Sequence, residues 1–160
     1  MNYDELERIK RSQFKNFLDI TPSTTPTWKL EGIGVNEAGI DYNPSSEREK
    51  WIIEDNARTD HTDNQKQTSI SKKTYKGDAV FEFVNAGRDK LNYKTHILEV
   101  DSWNGNNGTY PAKYSNGTIL ITHYEGSKIE YDLNYDGDPV EGTVTFDSNG
   151  VPTFTQSASV

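Results

Sequence analysis

One stretch of this chain, GDAVFEFVNAGRDKL from Gly77 to Leu91, carries a long helical repeat, and it divides sequence that otherwise reads as strands into two blocks. Val80, Val84, Gly87 and Leu91 recur at three- and four-residue spacing, widened by Phe81 and Phe83. They oppose Glu82, Asn85, Arg88, Asp89 and Lys90. Such a stripe must be buried. Asp78 is placed to accept the free amides of the first turn, and Arg88 and Lys90 fall where cations suit the negative end of the helix dipole. The spacing predicts a helix over 77–91 that packs on a sheet through Val80, Phe81, Val84 and Leu91.

Around it the chain reads as β. Asp4 to Leu18 hold Leu6, Ile9, Phe14, Phe17 and Leu18 at loosely helical spacing, and TPSTTPT follows, with Pro22 and Pro26 withholding backbone donors. The expectation is an N-terminal arm and linker over 1–27, ahead of a β domain over 28–160. In that domain WKLEGIGV, AGIDYN and KWIIED read as short strands rich in Trp, Ile, Val and Tyr. DNARTDHTDNQK is polar and aperiodic and predicts a long loop or hairpin tip over 54–67, after which QTSISKKTY resumes a strand. Beyond the helix, THILEVDSW is a strand, and Ile119–Tyr124 turns into Lys128–Asp136 as a hairpin. Its second arm alternates: Ile129, Tyr131, Leu133 and Tyr135 face one way, and Lys128, Glu130, Asp132, Asn134 and Asp136 the other. In PVEGTVTF, Val140, Val144 and Phe146 likewise oppose Glu141, Thr143 and Thr145. The predicted class is mainly β (α+β), a β-sandwich or partly closed barrel with one flanking helix.

Composition bounds the function. Only 32% of the 160 residues are hydrophobic, and the mean hydropathy is -0.87. This is less apolar material than a monomer of this size ordinarily buries, and burial between subunits would make up the difference. The formal net charge of -8 argues against a surface that grips nucleic acid. Without cysteine there is no disulfide framework, thiolate metal site or cysteine nucleophile. No apolar run approaches signal-peptide or membrane-spanning length, so no membrane role and a start in a cytoplasm are expected.

Motifs for chemistry are sparse. DxNxDGD, spelled by Asp132, Asn134, Asp136, Gly137 and Asp138, matches the first half of a calcium loop, but Thr143 stands where a bidentate Glu belongs and the flanks alternate like strands. A strand end with an Asp-Gly turn is the better reading. His61 between Asp60 and Asp63 lies in a polar loop without the second layer of partners a metal site needs. His96 and His123 fall in strands without a recognisable catalytic spacing. No cofactor is expected, and the chain reads as a non-enzyme.

IKRSQFKNFL, DYNPSSEREKWIIEDNA, YKGDAVFEFV and NYDGDPVEGTVTFDSNGVPTFT together resemble the major tail protein, the tail tube subunit, of long-tailed bacteriophages and prophages of Gram-positive bacteria. That resemblance implies a β-sandwich with one flanking helix whose copies form hexameric rings, stacked into a hollow tube around the tape measure protein. Tail terminator and initiator proteins are further implied partners. The protein would be assembled in the bacterial host cytoplasm and end in the virion tail, with double-stranded DNA crossing the lumen without specific binding. By the same resemblance, Glu130, Asp132 and Glu141 would line the lumen. Asp55, Asn56, Arg58, Asp60, His61 and Asp63 would belong to a protruding hairpin that contacts the next ring. A different class, a monomeric ligand-binding β-sandwich like a carbohydrate-binding module, would use Trp28, Trp51 and Trp103 as stacking platforms.

Overall fold

A computed structural model describes residues 3–158. The strands are β1 (Phe14–Asp19), β2 (Trp28–Leu30), β3 (Pro44–Glu49), β4 (Arg58–Asn64), β5 (Gln67–Lys73), β6 (Tyr93–Asp101), β7 (Tyr110–Tyr124), β8 (Lys128–Phe146) and β9 (Pro152–Gln156). One helix, α1 (Ala79–Ala86), lies between β5 and β6, and short 3-10 turns cover Tyr3–Glu5, Arg11–Gln13 and Ser102–Asn104. Seven strands form one antiparallel sheet in the order β2-β1-β6-β7-β8-β5, with β9 added to β8, while β3 and β4 pair only with each other. The architecture is mainly β, a nearly closed barrel-like sheet with one helix. Among the described residues no helix is long and apolar enough to cross a membrane.

β8 explains how one sheet curls. Its first half pairs with β5, Lys128 opposite Lys73 through Asn134 opposite Gln67, and its second half pairs with β9, Gly142 opposite Gln156 through Phe146 opposite Pro152. Between the halves the register against β7 shifts, and Gly137 adopts φ +73°, a left-handed bulge that glycine accepts without strain. The remaining gap, between the β2 and β5 edges, is spanned by residues 31–41. This strap bridges Val35 to Lys72 and Asp41 to Gln67.

Both faces of the sheet bury side chains. The inner core joins Leu18, Ile70, Ile97, Ile119, Ile129, Tyr131, Leu133 and Tyr135 to Val80 and Val84 of α1. The outer core joins Phe17, Trp28, Leu98, Val100, Ala112 and Val144, with Tyr114 and Phe154 stacked at 5.7 Å. Burial on two faces is clearest in β6, where Ile97, Leu98, Glu99 and Val100 are all buried.

It also moves the start of the β domain. β1 lies within the sheet between β2 and β6, with Leu18 inward and Phe17 outward, so the sheet begins at Phe14 and not at Trp28; Tyr3–Ser12 are exposed ahead of it, and Met1 and Asn2 lie outside the described residues. A strand buried on both faces carries consecutive apolar residues, which period analysis confuses with a helix. TPSTTPT is a hairpin connection, not a tether: Asp19 Oδ1 accepts from the amides of Thr21 (2.9 Å) and Thr27 (3.0 Å).

The helix is half the expected length. Asp78 caps it as predicted, accepting from the Val80 amide, but it ends at Gly87. A Cβ on Gly87 would overlap the Tyr93 ring, and the Tyr93 hydroxyl donates to Phe83 O at 2.7 Å. Val80 and Val84 are buried and Phe81 packs against them. Leu91 does not pack there; it is 92% exposed, and Arg88 and Lys90 lie beyond the helix.

The other departures concentrate before β5. Of the three expected strands, WKLEGIGV contributes only Trp28–Leu30, AGIDYN belongs to the strap, and KWIIED is the exposed turn between β3 and β4. The stretch over 54–67, expected as a long loop or hairpin tip, runs from the turn of the β3–β4 hairpin into strand β4, Arg58–Asn64, which takes half of it.

Candidate functional site

The β3–β4 hairpin has the least ordinary surface of the molecule. Its arms, PSSERE and RTDHTDN, are polar on both faces, and Ser45 is the one residue of either arm that is not fully exposed. An isolated two-stranded ribbon is marginally stable in water, yet the turn at its end displays Trp51 (50% exposed), Ile52 (102%) and Ile53 (84%). Local contacts hold that turn. The Arg58 guanidinium lies 3.8 Å from the Trp51 ring centroid and 3.2 Å from Glu54 Oε1, and Glu54 N donates to Trp51 O at 3.0 Å. The six residues expected on a protruding element do share it, Asp55 and Asn56 at the tip and Arg58, Asp60, His61 and Asp63 along β4. His61 Nε2 sits 2.6 Å from Asn64 Oδ1 and 3.1 Å from Asp63 O, inside its own strand.

Glu130 and Asp132 lie on the outer face of β8. Ser71 Oγ donates to Glu130 (3.4 Å), Ser69 Oγ to Asp132 (2.8 Å) and Thr118 Oγ1 to Asp136 (2.6 Å), a ladder of carboxylates each held by a hydroxyl on a neighbouring strand. Lys128 Nζ, 2.9 Å from Glu130 Oε1, holds that carboxyl below its usual range through their hydrogen bond. Glu141 does not join this face. It pairs with Lys113, which pairs with Glu99, and Glu99 points to the same side of β6 as the inner-core Ile97. A strand that alternates puts odd and even positions on opposite sides, so the three carboxylates cannot line one surface. The calcium-like Asp132, Asn134 and Asp136 are spaced along one extended strand instead of converging on a point.

Sequence reasoning missed a buried ionic cluster that closes the barrel. Lys72, fully buried, places Nζ 2.8 Å from Glu31 Oε1 and 2.9 Å from Asp78 Oδ2, and the Tyr131 hydroxyl donates to Glu31 Oε2 at 2.7 Å. The four residues come from the strap, β5, the cap of α1 and β8, so one ammonium ties together the parts that local sequence leaves apart. Burial pushes the Glu31 carboxyl up and outweighs the Lys72 charge that lowers it. Burial, with the neighbouring Glu31 charge, also pushes the Tyr131 hydroxyl well above its usual range, which keeps it a donor. One signal was present: strict period two in β5 puts Lys72 on the inward side with Thr68 and Ile70, and an inward lysine demands carboxylate partners.

Two further polar centres are structural. Asp19, fully buried, meets His96 Nδ1 at 2.8 Å. Lys66 lies 3.2 Å from Glu99 and about equally far from the Tyr42 (5.2 Å) and Tyr135 (5.0 Å) ring centroids. Of the proposed stacking platforms, Trp28 is buried in the outer core, whereas Trp51 and Trp103 are half exposed.

The structure combines a nearly closed sheet, an acidic outer strand face and a two-stranded ribbon with an apolar end. No protein-family model matches this chain. No curated protein sequence matches it either.

Proposed function

We propose that this chain is a tail tube subunit, whose copies close into hexameric rings that stack into a hollow phage tail. The observation that carries the reading is the β3–β4 hairpin. A ribbon without a core of its own, ending in Trp51, Ile52 and Ile53, gains from a neighbouring surface what a monomer does not supply. The low apolar content agrees, since subunits stabilised by assembly need less core of their own. A projection on one side and a separate receiving surface make a heterologous contact, the kind that closes around an axis and stays open along it.

On this reading the outer face with Glu130 and Asp132 lines the lumen. Like charge keeps a polyanion from adhering while it passes, within a Debye length of about 8 Å at physiological salt. The tape measure protein would occupy the same channel before DNA, and the tail terminator and initiator proteins would cap its ends. Assembly would take place in the host cytoplasm and the product reside in the virion tail.

Negative-stain microscopy of the purified protein, with and without tail initiator proteins, should show rings or tubes. A strict monomer at every concentration would refute the proposal. For the lumen, lysine at both Glu130 and Asp132 should leave assembly nearly intact and slow DNA ejection. Unchanged ejection would remove these residues from the channel wall.

A further inference from the structure

Lys72, Asp78 and Glu31 are equipped for more than an ion pair. An amine, a carboxyl carbon to attack and a second carboxylate that moves protons are the groups needed to join amine and acid as an amide. Here all three are buried and in reach of one another. Lys72 Nζ lies 2.9 Å from Asp78 Oδ2 and 2.8 Å from Glu31 Oε1. Asp78 Oδ2 is buried without a hydrogen bond of acceptable alignment, so the nitrogen stands beside that oxygen instead of aiming an N–H at it. The carbon to be attacked, Asp78 Cγ, is one bond from the same oxygen. Groups held at about 3–3.5 Å react as if at concentrations no solution reaches.

Two neighbours suit the reaction. Asp78 Oδ1 accepts from the Val80 amide at 3.2 Å. This donor sits at the N-terminus of α1, where it and the positive end of the helix dipole stabilise the charge that grows on Oδ1 as the carbon becomes tetrahedral. Tyr131 donates to Glu31 Oε2 at 2.7 Å and leaves Oε1 facing the nitrogen. Burial raises the Glu31 carboxyl, which makes it a better proton acceptor.

We propose that Lys72 and Asp78 condense within the folded chain to an Nζ–Cγ amide, with Glu31 relaying the protons. The ammonium gives one proton to Glu31, and the freed Nζ lone pair bonds to Cγ. Glu31 then passes that proton and a second one from Nζ to Oδ2, which leaves as water. The third hydrogen stays as the amide N–H, Glu31 ends as it began, and no oxidant or cofactor is consumed. A cleft of about 600 Å³ lined by Gly34, Lys72, Thr74 and Tyr75 takes the water. Closure needs a neutral amine and a neutral acid, which the ion pair resists, so it follows folding slowly and freshly folded protein holds the ion pair. The bond ties β5 to the cap of α1 within one copy and forms whether or not copies assemble.

Intact-mass spectrometry provides the test. Wild-type protein, folded and kept at neutral pH, should lose the mass of one water over days. Tandem spectrometry of a digest should then find a branched peptide joining Lys72 to Asp78. Protein held unfolded in urea should keep its full mass. Glu31→Gln retains both reacting groups and the fold, which circular dichroism verifies, and should close about 100-fold more slowly or less readily still, as loss of a general base requires. Asp78→Ser keeps an oxygen for the Val80 amide but has no carboxyl carbon, and should never lose water. Folded wild type that retains its full mass would overturn the proposal. So would water lost as a succinimide at Asp136–Gly137, which hydroxylamine cleaves, or an equal rate of loss in Glu31→Gln or Asp78→Ser.

Discussion

Replacing Lys72 by methionine removes the one cation between two buried carboxylates. The Lys72 side chain is 0% exposed and those of Glu31 and Asp78 are each 3% exposed. Without the ammonium, Glu31 retains the Tyr131 hydroxyl and Asp78 the Val80 amide, and neither charge is balanced. Breaking a buried pair in this way costs about 3–5 kcal/mol. For a chain of 160 residues, each kcal/mol moves Tm by about 2–4 °C, so Lys72→Met should melt about 6–20 °C lower. Glu31→Gln should behave differently. Burial raises the Glu31 carboxyl, so the folded state binds its proton more tightly than the unfolded chain does. The stability linked to that proton is complete below the ordinary glutamate range and is lost as pH rises through the raised folded value. Glutamine can still accept from Lys72 and bond Tyr131, so this variant should melt near the wild type and lose the decline across that window. Thermal melts followed by circular dichroism, from mildly acidic to mildly alkaline pH, measure both effects. A Lys72→Met melt within about 2 °C of wild type, or a Glu31→Gln profile parallel to the wild type's, would refute the reasoning.

Other expectations separate the parts of the fold. Ile97→Ala, in the inner core, should lower stability by about 2–5 kcal/mol in urea titration, whereas Leu91→Ser, at an exposed loop position, should stay within about 0.5 kcal/mol. Equal effects would restore Leu91 to the helix–sheet contact. Gly142→Ala places a methyl group against Thr155 O and the Phe154 ring. It should cost about 1–3 kcal/mol and expose β9 amides to hydrogen exchange before those of β6. Protected β9 amides in that variant would show that the sheet accommodates the methyl.

Local pattern was enough to settle the class of the fold. Period two in Ile129–Tyr135 and in Val140–Phe146 placed β8, and the Asp78 cap and the Val80–Val84 spacing placed α1, because both signals arise within a few residues of backbone. Other features were invisible at that range. The end of α1 depends on the Tyr93 ring beneath Gly87. The membership of β1 depends on a pairing between Phe17 and Leu98 across half of the chain, and consecutive apolar residues there say only that both faces are buried. Trp51, Ile52 and Ile53 read as strand by propensity, yet Ile52 and Ile53 stand open to solvent and Trp51 is half exposed beneath the Arg58 guanidinium. The assignment of Glu141 to the face of Glu130 and Asp132 failed on register, which accumulates through Lys113 and Glu99 on strands remote in sequence. The Lys72 cluster draws on four separate elements, so only the closed sheet could bring its charges within hydrogen-bonding reach. Sequence decided where the strongly periodic segments α1 and β8 lie, since those choices rest on neighbouring side chains. Tertiary structure decided where burial ends, which face each carboxylate occupies and which apolar surface stays exposed, because those depend on contacts between residues far apart in the chain.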